Sequence, residues 1–527
     1  MTKVRQWDCI VVGAGSAGAA LAGRLSQGLS VLVLDAGPDW RFEECPPELR
    51  RPNNMYKWDI TTLSMVPPQF MWQGQLARRV AGRDPAPYMR GRGLGGSSSV
   101  NGCYAIRPPM EEFDDWAAAG CDGWSSADVL PYFIRLERDA DFGDQPYHGS
   151  DGPTPITRVA QEDWGTIDEG LRDSAFILGH GWAPDHNAPN TLGASPTASN
   201  IEDLQRITTN DSYLQPARSR SNLTIIGDAR VDRVLFSQDR AVGVAVTIAG
   251  ESRSFYADEV ILSAGAIMTP AILQRSGVGP AGLLRALDID VRAELPVGIG
   301  LQDHAGFELL LRVPNGRPAR TERRRGNCTI RFSSQLRESR FGDLLITDVN
   351  VIPGSDTGAL LCKLALNQSR GRVQIASADP GALPDVDFNL LSDGRDVDLA
   401  QYLIRHAVDL VRAGGFPDGT AIVDVNGNEV DLNMAGEELR AWARSVVRDT
   451  AHAASGCAIG RTDDPAAVLD TECRVRGFQG LRVADTSVMP AVTRANTHLP
   501  AVMIGERVAD WVLRDHQHTV TTMSASA

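Results

Sequence analysis

The chain has 527 residues, of which 43% are hydrophobic, and a formal net charge of −14. This length is too great for one hydrophobic core and predicts about two or three domains. The acidic balance argues against nucleic acid or an anionic membrane surface as the main partner.

The cysteine pattern excludes two further classes of protein. The eight cysteines are scattered, with no C-x-x-C pair, so the spacing predicts neither a metal site nor a disulfide framework.

No charged and then apolar leader precedes the first apolar run, and no apolar run approaches the ~20 residues of a membrane span. We therefore expect reduced thiols, no metal, no membrane association and a cytoplasmic location.

The N-terminal stretch predicts a strand, a glycine-rich turn and a helix in direct succession. An apolar run over residues 9–12 leads into Gly13-Ala14-Gly15-Ser16-Ala17-Gly18, which has the G-x-G-x-x-G spacing. Gly13 permits the tight turn, Gly15 lets the backbone approach a pyrophosphate, and Gly18 lets the helix over 19–25 lie close to the strand. The motif predicts a dinucleotide site with its phosphates at a helix N-terminus.

A second apolar run, over residues 29–34, predicts the next parallel strand and ends at Asp35. An acid at about 20 residues after the turn is suited to accept hydrogen bonds from a ribose diol, and Ala36 belongs to the same predicted site. A lone G-x-G-x-x-G also occurs in turns that bind nothing. Strand, turn, helix, second strand and acid together make the dinucleotide interpretation specific.

Two irregular segments follow. Residues 38–90 are rich in proline, tryptophan and turn residues and predict an extended excursion or lid, not a packed sheet. Residues 91–102, GRGLGGSSSVNG, contain too many glycines and small hydroxyls for a core element. Such a segment suits close approach of the backbone to a flat cofactor. The candidate contacts in it are Arg92, Gly95, Ser98, Asn101 and Gly102.

Two long segments resemble the signatures of a known family. Gly91 to Asn101, continuing to Asp114, resembles the first signature of the glucose-methanol-choline (GMC) flavoprotein oxidoreductases. Residues 265–279, GAIMTPAILQRSGVG, resemble the second signature. Shorter family-like phrases, among them Gln302-Asp303-His304, extend the resemblance over the whole chain. Within the family, the sequence is most similar to bacterial oxidases of small aromatic primary alcohols.

The resemblance implies an α/β fold, α+β overall, in which a discontinuous Rossmann-like FAD-binding domain carries an inserted substrate domain. The FAD-binding domain would take residues 1–152, 216–305 and 448–527, and the substrate domain residues 153–215 and 306–447. Alternating stretches over 309–313, 344–351, 359–366 and 372–378 favour an antiparallel sheet with a few helices in the second domain. No oligomeric state is indicated.

Three further cofactor contacts are implied by the resemblance. Val231, in a predicted strand over 229–236, matches the position beside the adenine, and an ordinary core valine fits the same pattern. Ala264 lies near the end of a strand over 259–266, where backbone would meet the pyrophosphate. Asp485 ends a strand and matches a contact to the pyrophosphate or the ribityl chain.

The C-terminal block supplies the predicted catalytic residues. His452 is followed by small residues and matches the catalytic histidine of the family. His498 lies in Asn496-Thr497-His498-Leu499-Pro500, before a helix predicted over 501–513, and matches the second active-site position. We therefore assign His498 both to catalysis and to cofactor contact. The near-neutral pKa of imidazole suits removal of a proton from an alcohol.

On this resemblance the reaction is FAD-dependent oxidation of a small primary alcohol, aromatic or heteroaromatic, to the aldehyde. His452 would take the hydroxyl proton, flavin N5 the hydride and dioxygen the electrons, giving hydrogen peroxide. Three alternatives stay open: a dehydrogenase using a quinone or another acceptor, a flavin-containing lyase, and a non-catalytic nucleotide-binding module. The FAD is expected to be non-covalent, since Val100 stands where some relatives have a linking histidine.

Overall fold

The largest described sheet is built around the strand Gln6–Val12. The structure is a computed structural model that describes residues 6–52, 66–321 and 324–525. Within them this sheet has seven strands, in the spatial order Leu223–Ile226, Val31–Leu34, Gln6–Val12, Glu251–Leu262, Arg240–Ile248 and Ala229–Ser237, with Leu481–Val483 also paired to Glu251–Leu262. The Gln6–Val12 strand is parallel to both neighbours, which buries it on both faces.

The second sheet is antiparallel throughout. Its six described strands follow the spatial order Ala421–Val423, Gly306–Arg312, Thr357–Leu364, Leu344–Val349, Cys328–Phe332 and Gly193–Pro196. Smaller sheets are formed by Ile299–Leu301, Gly371–Gln374 and Asp385–Asp387, by Leu76–Ala77 with Ala86–Pro87, by Glu137–Asp139 with Thr154–Ile156, and by Ile201–Glu202 with Gln205–Arg206. The described α-helices are Ser16–Leu25, Pro47–Arg50, Glu111–Ala118, Ser126–Leu136, Thr166–Ile177, Gln215–Ala217, Gly265–Arg275, Ala281–Ala286, Gly394–Arg412, Gly436–Val446 and His498–Ala525.

A buried ionic cluster joins the first and last helices. Arg24 donates to both carboxylate oxygens of Glu506, at 3.0 and 2.9 Å, and Glu506 is fully buried. Tyr213 donates to the same carboxylate at 2.7 Å. Because a buried charge is stable only when it is paired, this cluster holds the His498–Ala525 helix against the Ser16–Leu25 helix, which follows the dinucleotide turn.

The predicted fold class is confirmed, and some boundaries differ from prediction. The last helix begins at His498, not at residue 501, because Ala501 N–H already bonds to the Thr497 carbonyl at 3.0 Å. The stretch predicted over 372–378 forms the strand Gly371–Gln374, which pairs outside the six-stranded sheet. In the predicted lid, the described residues form short helical turns and one two-stranded ribbon. Residues 53–65 of that prediction lie outside the described residues.

Two hydrophobic cores accompany the two sheets. One includes Val11, Leu32 and Ile261 of the larger sheet. The other includes Leu309 and Ile346 of the antiparallel sheet. Among the helices in the described ranges, none has an apolar stretch long enough to cross a bilayer.

Candidate active site

A cavity of about 600 Å³ lies between the two sheets. The dinucleotide turn and the segment after Val31–Leu34 line one end of it. Phe307 and Leu361, on neighbouring strands of the antiparallel sheet, line another part. The cavity therefore extends from the carboxyl ends of the parallel strands, where nucleotides bind in open α/β sheets, to strands of the antiparallel sheet.

Most of the residues predicted from the sequence line this cavity. They are Gly13, Gly15, Ser16, Asp35, Ala36, Arg92, Asn101, Gly102, Val231, Ala264, His452, Asp485 and His498. Segments far apart in sequence are thus brought to one wall.

Four predicted residues, Ala14, Gly18, Gly95 and Ser98, do not line the cavity and instead contact the segments that do. A Cβ on Gly18 would lie 2.0 Å from the Gly13 carbonyl oxygen, so Gly18 serves close packing of the helix on the turn. Gly95 has a φ of +85° and its N–H bonds to the Ala14 carbonyl at 2.8 Å. Ser98 is fully buried and donates to the Gly95 carbonyl at 2.6 Å.

Asp35 organises three segments of the wall through backbone hydrogen bonds. Its carboxylate accepts from the N–H groups of Ala14 at 2.8 Å, Gly37 at 2.8 Å and Gly93 at 3.0 Å. Burial raises the pKa of this carboxyl, and the three backbone donors oppose that shift. An ionised carboxylate offers about four acceptor positions, so one stays available to a ligand in the cavity.

Asp485 acts in the same way at the start of the Gly265–Arg275 helix. It accepts from Gly265 N–H at 2.9 Å, from the Thr269 hydroxyl at 2.6 Å and from Ser487 N–H at 2.8 Å. Burial raises its pKa. Its first role in this geometry is to join the second family-like segment to the C-terminal block.

The wall fits the dinucleotide FAD. No described side chain caps the helix Ser16–Leu25, whose first residues, Ser16 and Ala17, line the cavity. Uncapped N–H groups at a helix N-terminus bind phosphate. His498 Nε2 is buried at the cavity and has no hydrogen-bond partner among the described residues. Because buried polar atoms are nearly always hydrogen-bonded, we expect a ligand in the cavity to bond to this nitrogen.

The hydrogen bonds of His452 define which of its nitrogens is basic. His304 Nε2 lies 3.0 Å from the Thr493 carbonyl oxygen, which only accepts, so Nε2 carries the proton and Nδ1 of His304 is an acceptor. His452 Nδ1 lies 2.9 Å from that acceptor and 2.7 Å from the Thr450 hydroxyl oxygen. His452 therefore carries its proton on Nδ1, and its Nε2 is unprotonated and bears a lone pair.

Both histidines of this pair are neutral. Burial, with Lys363 nearby, lowers the pKa of His304 to about 3. Burial and the same lysine also hold the pKa of His452 well below its usual range. A neutral imidazole with a free Nε2 is the form that can accept a proton.

The residue in contact with His452 Nε2 is Asn496. Its Nδ2 lies 3.1 Å from that nitrogen, and its Oδ1 accepts from Lys363 Nζ at 2.7 Å. His498, the partner predicted from the sequence, has its described hydrogen bond with Ser16 of the dinucleotide turn, Nδ1 to Oγ, at 3.0 Å. Burial and Arg206 lower the pKa of His498 to about 4. In the structure His452 thus contacts Asn496 and His498 contacts Ser16, and the catalytic roles predicted for His452 and His498 stay predictions.

Sequence reasoning missed Asn496, Lys363 and the role of His304. Asn496 stands two positions before His498 in the same phrase, and a helix that begins at His498 turns those two side chains to different surroundings. His304 was visible in a family-like phrase without an assigned function. The only sequence feature that distinguished Lys363 was the rarity of lysine in this chain.

A second titratable cluster lies apart from the cavity. Glu137, Asp139 and His148 come close enough to share a metal ion, and they are the one such group in the described part of the chain. Arg107 bonds to Glu137 at 2.6 Å and Arg158 to Asp139 at 2.9 Å. These carboxylates already have cationic partners.

A dinucleotide turn that shares a cavity with a neutral, oriented histidine defines the class: an enzyme that uses a dinucleotide cofactor and moves a proton. Family models described as GMC oxidoreductase match residues 7–306 and 367–505. The chain is 36% identical to the 5-(hydroxymethyl)furfural oxidase of Methylovorus sp. (strain MP688), over 96% of this chain and 98% of the relative. It is 34% identical to an oxygen-dependent choline dehydrogenase of Vibrio vulnificus (strain YJ016), over 97% and 94%.

Solved structures agree with this assignment. Pyridoxine 4-oxidase from Mesorbium loti has a TM-score of 0.85 at 25% identity, with coverage of 97% of this chain and 99% of that one. A fungal aryl-alcohol oxidase has the same fold, with a TM-score of 0.81, 21% identity and coverage of 97% and 99%. The chain belongs to the GMC oxidoreductase family. It is an FAD-dependent oxidoreductase that acts on alcohols.

Proposed function

We propose that the protein oxidises a small primary alcohol next to an aromatic or heteroaromatic ring to the aldehyde. The observation that carries this proposal is the unprotonated Nε2 of His452, in hydrogen-bond contact with Asn496 Nδ2 at 3.1 Å, in a cavity continuous with the dinucleotide turn. The furfural relative at 36% identity and the pyridoxine 4-oxidase neighbour, by their names, support this substrate class. Relatives named for choline leave a quaternary ammonium alcohol as the competing substrate.

His452 and Asn496 have separate roles at the hydroxyl group of the substrate. His452 Nε2 accepts the hydroxyl proton, and its Nδ1–H stays bonded toward Thr450 and His304. Asn496 Nδ2 donates to the substrate oxygen and stabilises the negative charge that develops there. FAD, when bound, supplies the electron acceptor for the hydride that leaves the alcohol carbon.

The predicted cofactor contacts become assignments within this proposal. Ser16 and Gly15 would hold the pyrophosphate, the remaining acceptor position of Asp35 would bond to the ribose, and Val231 would lie beside the adenine. His498 donates or accepts at the ring end of the cofactor through its unpartnered Nε2.

We propose that the cofactor is held without a covalent bond. Val100, at the position where some relatives have a linking histidine, lines the cavity and offers no nucleophile. Acid precipitation of the pure protein should leave the yellow colour in the supernatant. Colour retained in the pellet would contradict this assignment.

We propose dioxygen as the electron acceptor and the cytoplasm as the compartment. The oxidase names of the relatives support the first. The second is supported by the eight cysteines, which are all free thiols. Fractionation of cells that express the full chain would test the compartment.

A panel of alcohols tests the proposed function. Benzylic, furanic and pyridine methanols should bleach the flavin without oxygen and produce peroxide in air, with kcat/KM above the values for choline and glucose. Bleaching with reoxidation only by a quinone or dye would identify a dehydrogenase. Failure of every alcohol to bleach the flavin would contradict the proposal and favour a lyase.

A further inference from the structure

Lys363 lies behind the proposed catalytic pair. It belongs to the strand Thr357–Leu364 of the antiparallel sheet and is 6% exposed at the cavity wall. Its Nζ donates to Asn496 Oδ1 at 2.7 Å. Within the described ranges no carboxylate comes within ion-pair distance of this nitrogen, so the amide is its nearest strong acceptor.

This contact determines which way the amide faces. Burial lowers the pKa of Lys363 to about 7. Below that pH the side chain is an ammonium group, which has three N–H donors and no acceptor. The Asn496 atom toward Lys363 must therefore be Oδ1, and Nδ2 must face the opposite side, where it lies 3.1 Å from His452 Nε2. With the amide turned over, Oδ1 would face the lone pair of His452 and present an acceptor to the substrate oxygen.

We propose that Lys363 is a positioning residue, which holds the Asn496 amide with its N–H donor toward the substrate hydroxyl oxygen. The proton moves from that oxygen to His452 Nε2, and the negative charge left on the oxygen meets Asn496 Nδ2–H. Lys363 does not touch the substrate in this arrangement. The inference rests on the proposed function for its meaning in catalysis, and its own geometry can be tested separately.

The first test is a double-mutant cycle on the rate of flavin reduction by benzyl alcohol without oxygen. Lys363→Met keeps the length of the side chain and removes the donor, and should slow reduction by about 10- to 100-fold, the range of a hydrogen bond that involves a charged group. In an Asn496→Ala background the same change should cost less than about twofold, because its target is gone. Equal losses in both backgrounds would overturn the proposal and point to an effect of Lys363 that bypasses Asn496, either its charge acting on His452 or direct contact with the substrate.

The second test needs no turnover. Acetophenone is a neutral ketone that accepts a hydrogen bond and has no alcohol to oxidise, so its binding to the holoenzyme can be followed by calorimetry. Lys363→Met should weaken acetophenone binding by about 3- to 10-fold, since an amide free to turn offers its donor less often. Ethylbenzene, which lacks the oxygen, should bind the unmodified protein and Lys363→Met with Kd values that agree within about twofold. Unchanged acetophenone binding would contradict the proposal.

The two tests separate two kinds of failure. If no alcohol reduces the flavin, the proposed function is wrong, and ketone binding still decides whether Lys363 orients Asn496. Retained FAD content and melting temperature in Lys363→Met establish that the variant is folded. Lys363→Arg keeps a donor-only cation and should recover part of the loss in both assays.

Discussion

At the scale of single residues, proton transfer depends on groups that can only donate or only accept. The Thr493 carbonyl sets the tautomer of His304, and through it the tautomer of His452. Because a carbonyl oxygen only accepts hydrogen bonds, one arrangement of protons on His304 and His452 satisfies these contacts. We therefore expect Nε2 of His452 to be the atom that accepts the hydroxyl proton.

Replacement of Asn496 and of His498 should have different effects. Asn496→Ala removes the donor beside His452 Nε2, and should slow flavin reduction by about 10- to 100-fold while FAD stays bound. His498→Ala removes the bond to Ser16, and should weaken FAD retention more than it slows reduction in the loaded enzyme. Stopped-flow reduction and FAD titration of the two variants measure both quantities.

The reverse pattern would restore the pair predicted from the sequence. In that case His498→Ala would abolish flavin reduction in enzyme that still holds FAD. The flavin of Asn496→Ala would be reduced at the rate of the unmodified protein. The sequence motifs identified the phrase that contains both residues and assigned catalysis to His498, with no role for Asn496. Side-chain direction follows from where the helix begins, and that boundary was predicted three residues late.

At the scale of elements, buried acids hold loops to strands. Asp35→Asn should lower the free energy of unfolding by about 1–3 kcal/mol, because the new NH₂ group cannot accept and leaves a buried backbone donor unpaired. Asp39→Asn is the matched control, since Asp39 lies four residues away on the exposed side and pairs with Arg218. Denaturant unfolding of both variants measures the difference. Equal stability of the two would show that Asp35 does not bind the loops.

The cluster around His148 should make stability depend on pH. Burial opposes its charge, but hydrogen bonds to Asp185 and Glu137 outweigh that cost and raise the pKa of His148 to about 9. The stabilisation is complete below the unfolded pKa of about 6.5 and is lost as pH rises through the folded pKa. We expect the melting temperature to fall between about pH 6.5 and pH 9 because of this group.

A variant without the titrating group is the control for this effect. His148→Asn should be less stable at pH 6.5 and should show a smaller fall in melting temperature over the same range. An identical pH profile in the two proteins would remove His148 as the cause. The sequence predicted no role for this residue, because the local sequence around it does not show that three carboxylates and two arginines meet there.

At the scale of the whole molecule, regular elements were predictable and their junctions were not. Strong apolar runs identified the Gln6–Val12 and Val31–Leu34 strands, since burial on both faces demands such runs. The alternation in 309–366 identified three strands of the antiparallel sheet. Contacts such as Asn496 to Lys363, 133 positions apart, depend on how the two sheets pack, and local pattern contains no information on that packing.

FAD should stabilise the whole chain. Its cavity touches both sheets, and we propose the division into residues 1–152, 216–305 and 448–527 against 153–215 and 306–447 as the two units that it joins. A ligand at about 100 times its Kd adds roughly 2.7 kcal/mol to the free energy of unfolding. Scanning calorimetry should show a lower melting temperature for apoprotein than for holoprotein, and coincident transitions would contradict tight binding.

The most direct measurement of the central claim is anaerobic stopped-flow mixing of holoenzyme with benzyl alcohol, for the unmodified protein and for His452→Ala. If His452 Nε2 removes the hydroxyl proton, loss of flavin absorbance in the variant should be slower by about 10² to 10⁴-fold, the usual contribution of a positioned base. Equal FAD content in the two proteins excludes a loss of cofactor as the cause. Flavin reduction at the unmodified rate in His452→Ala would contradict the account.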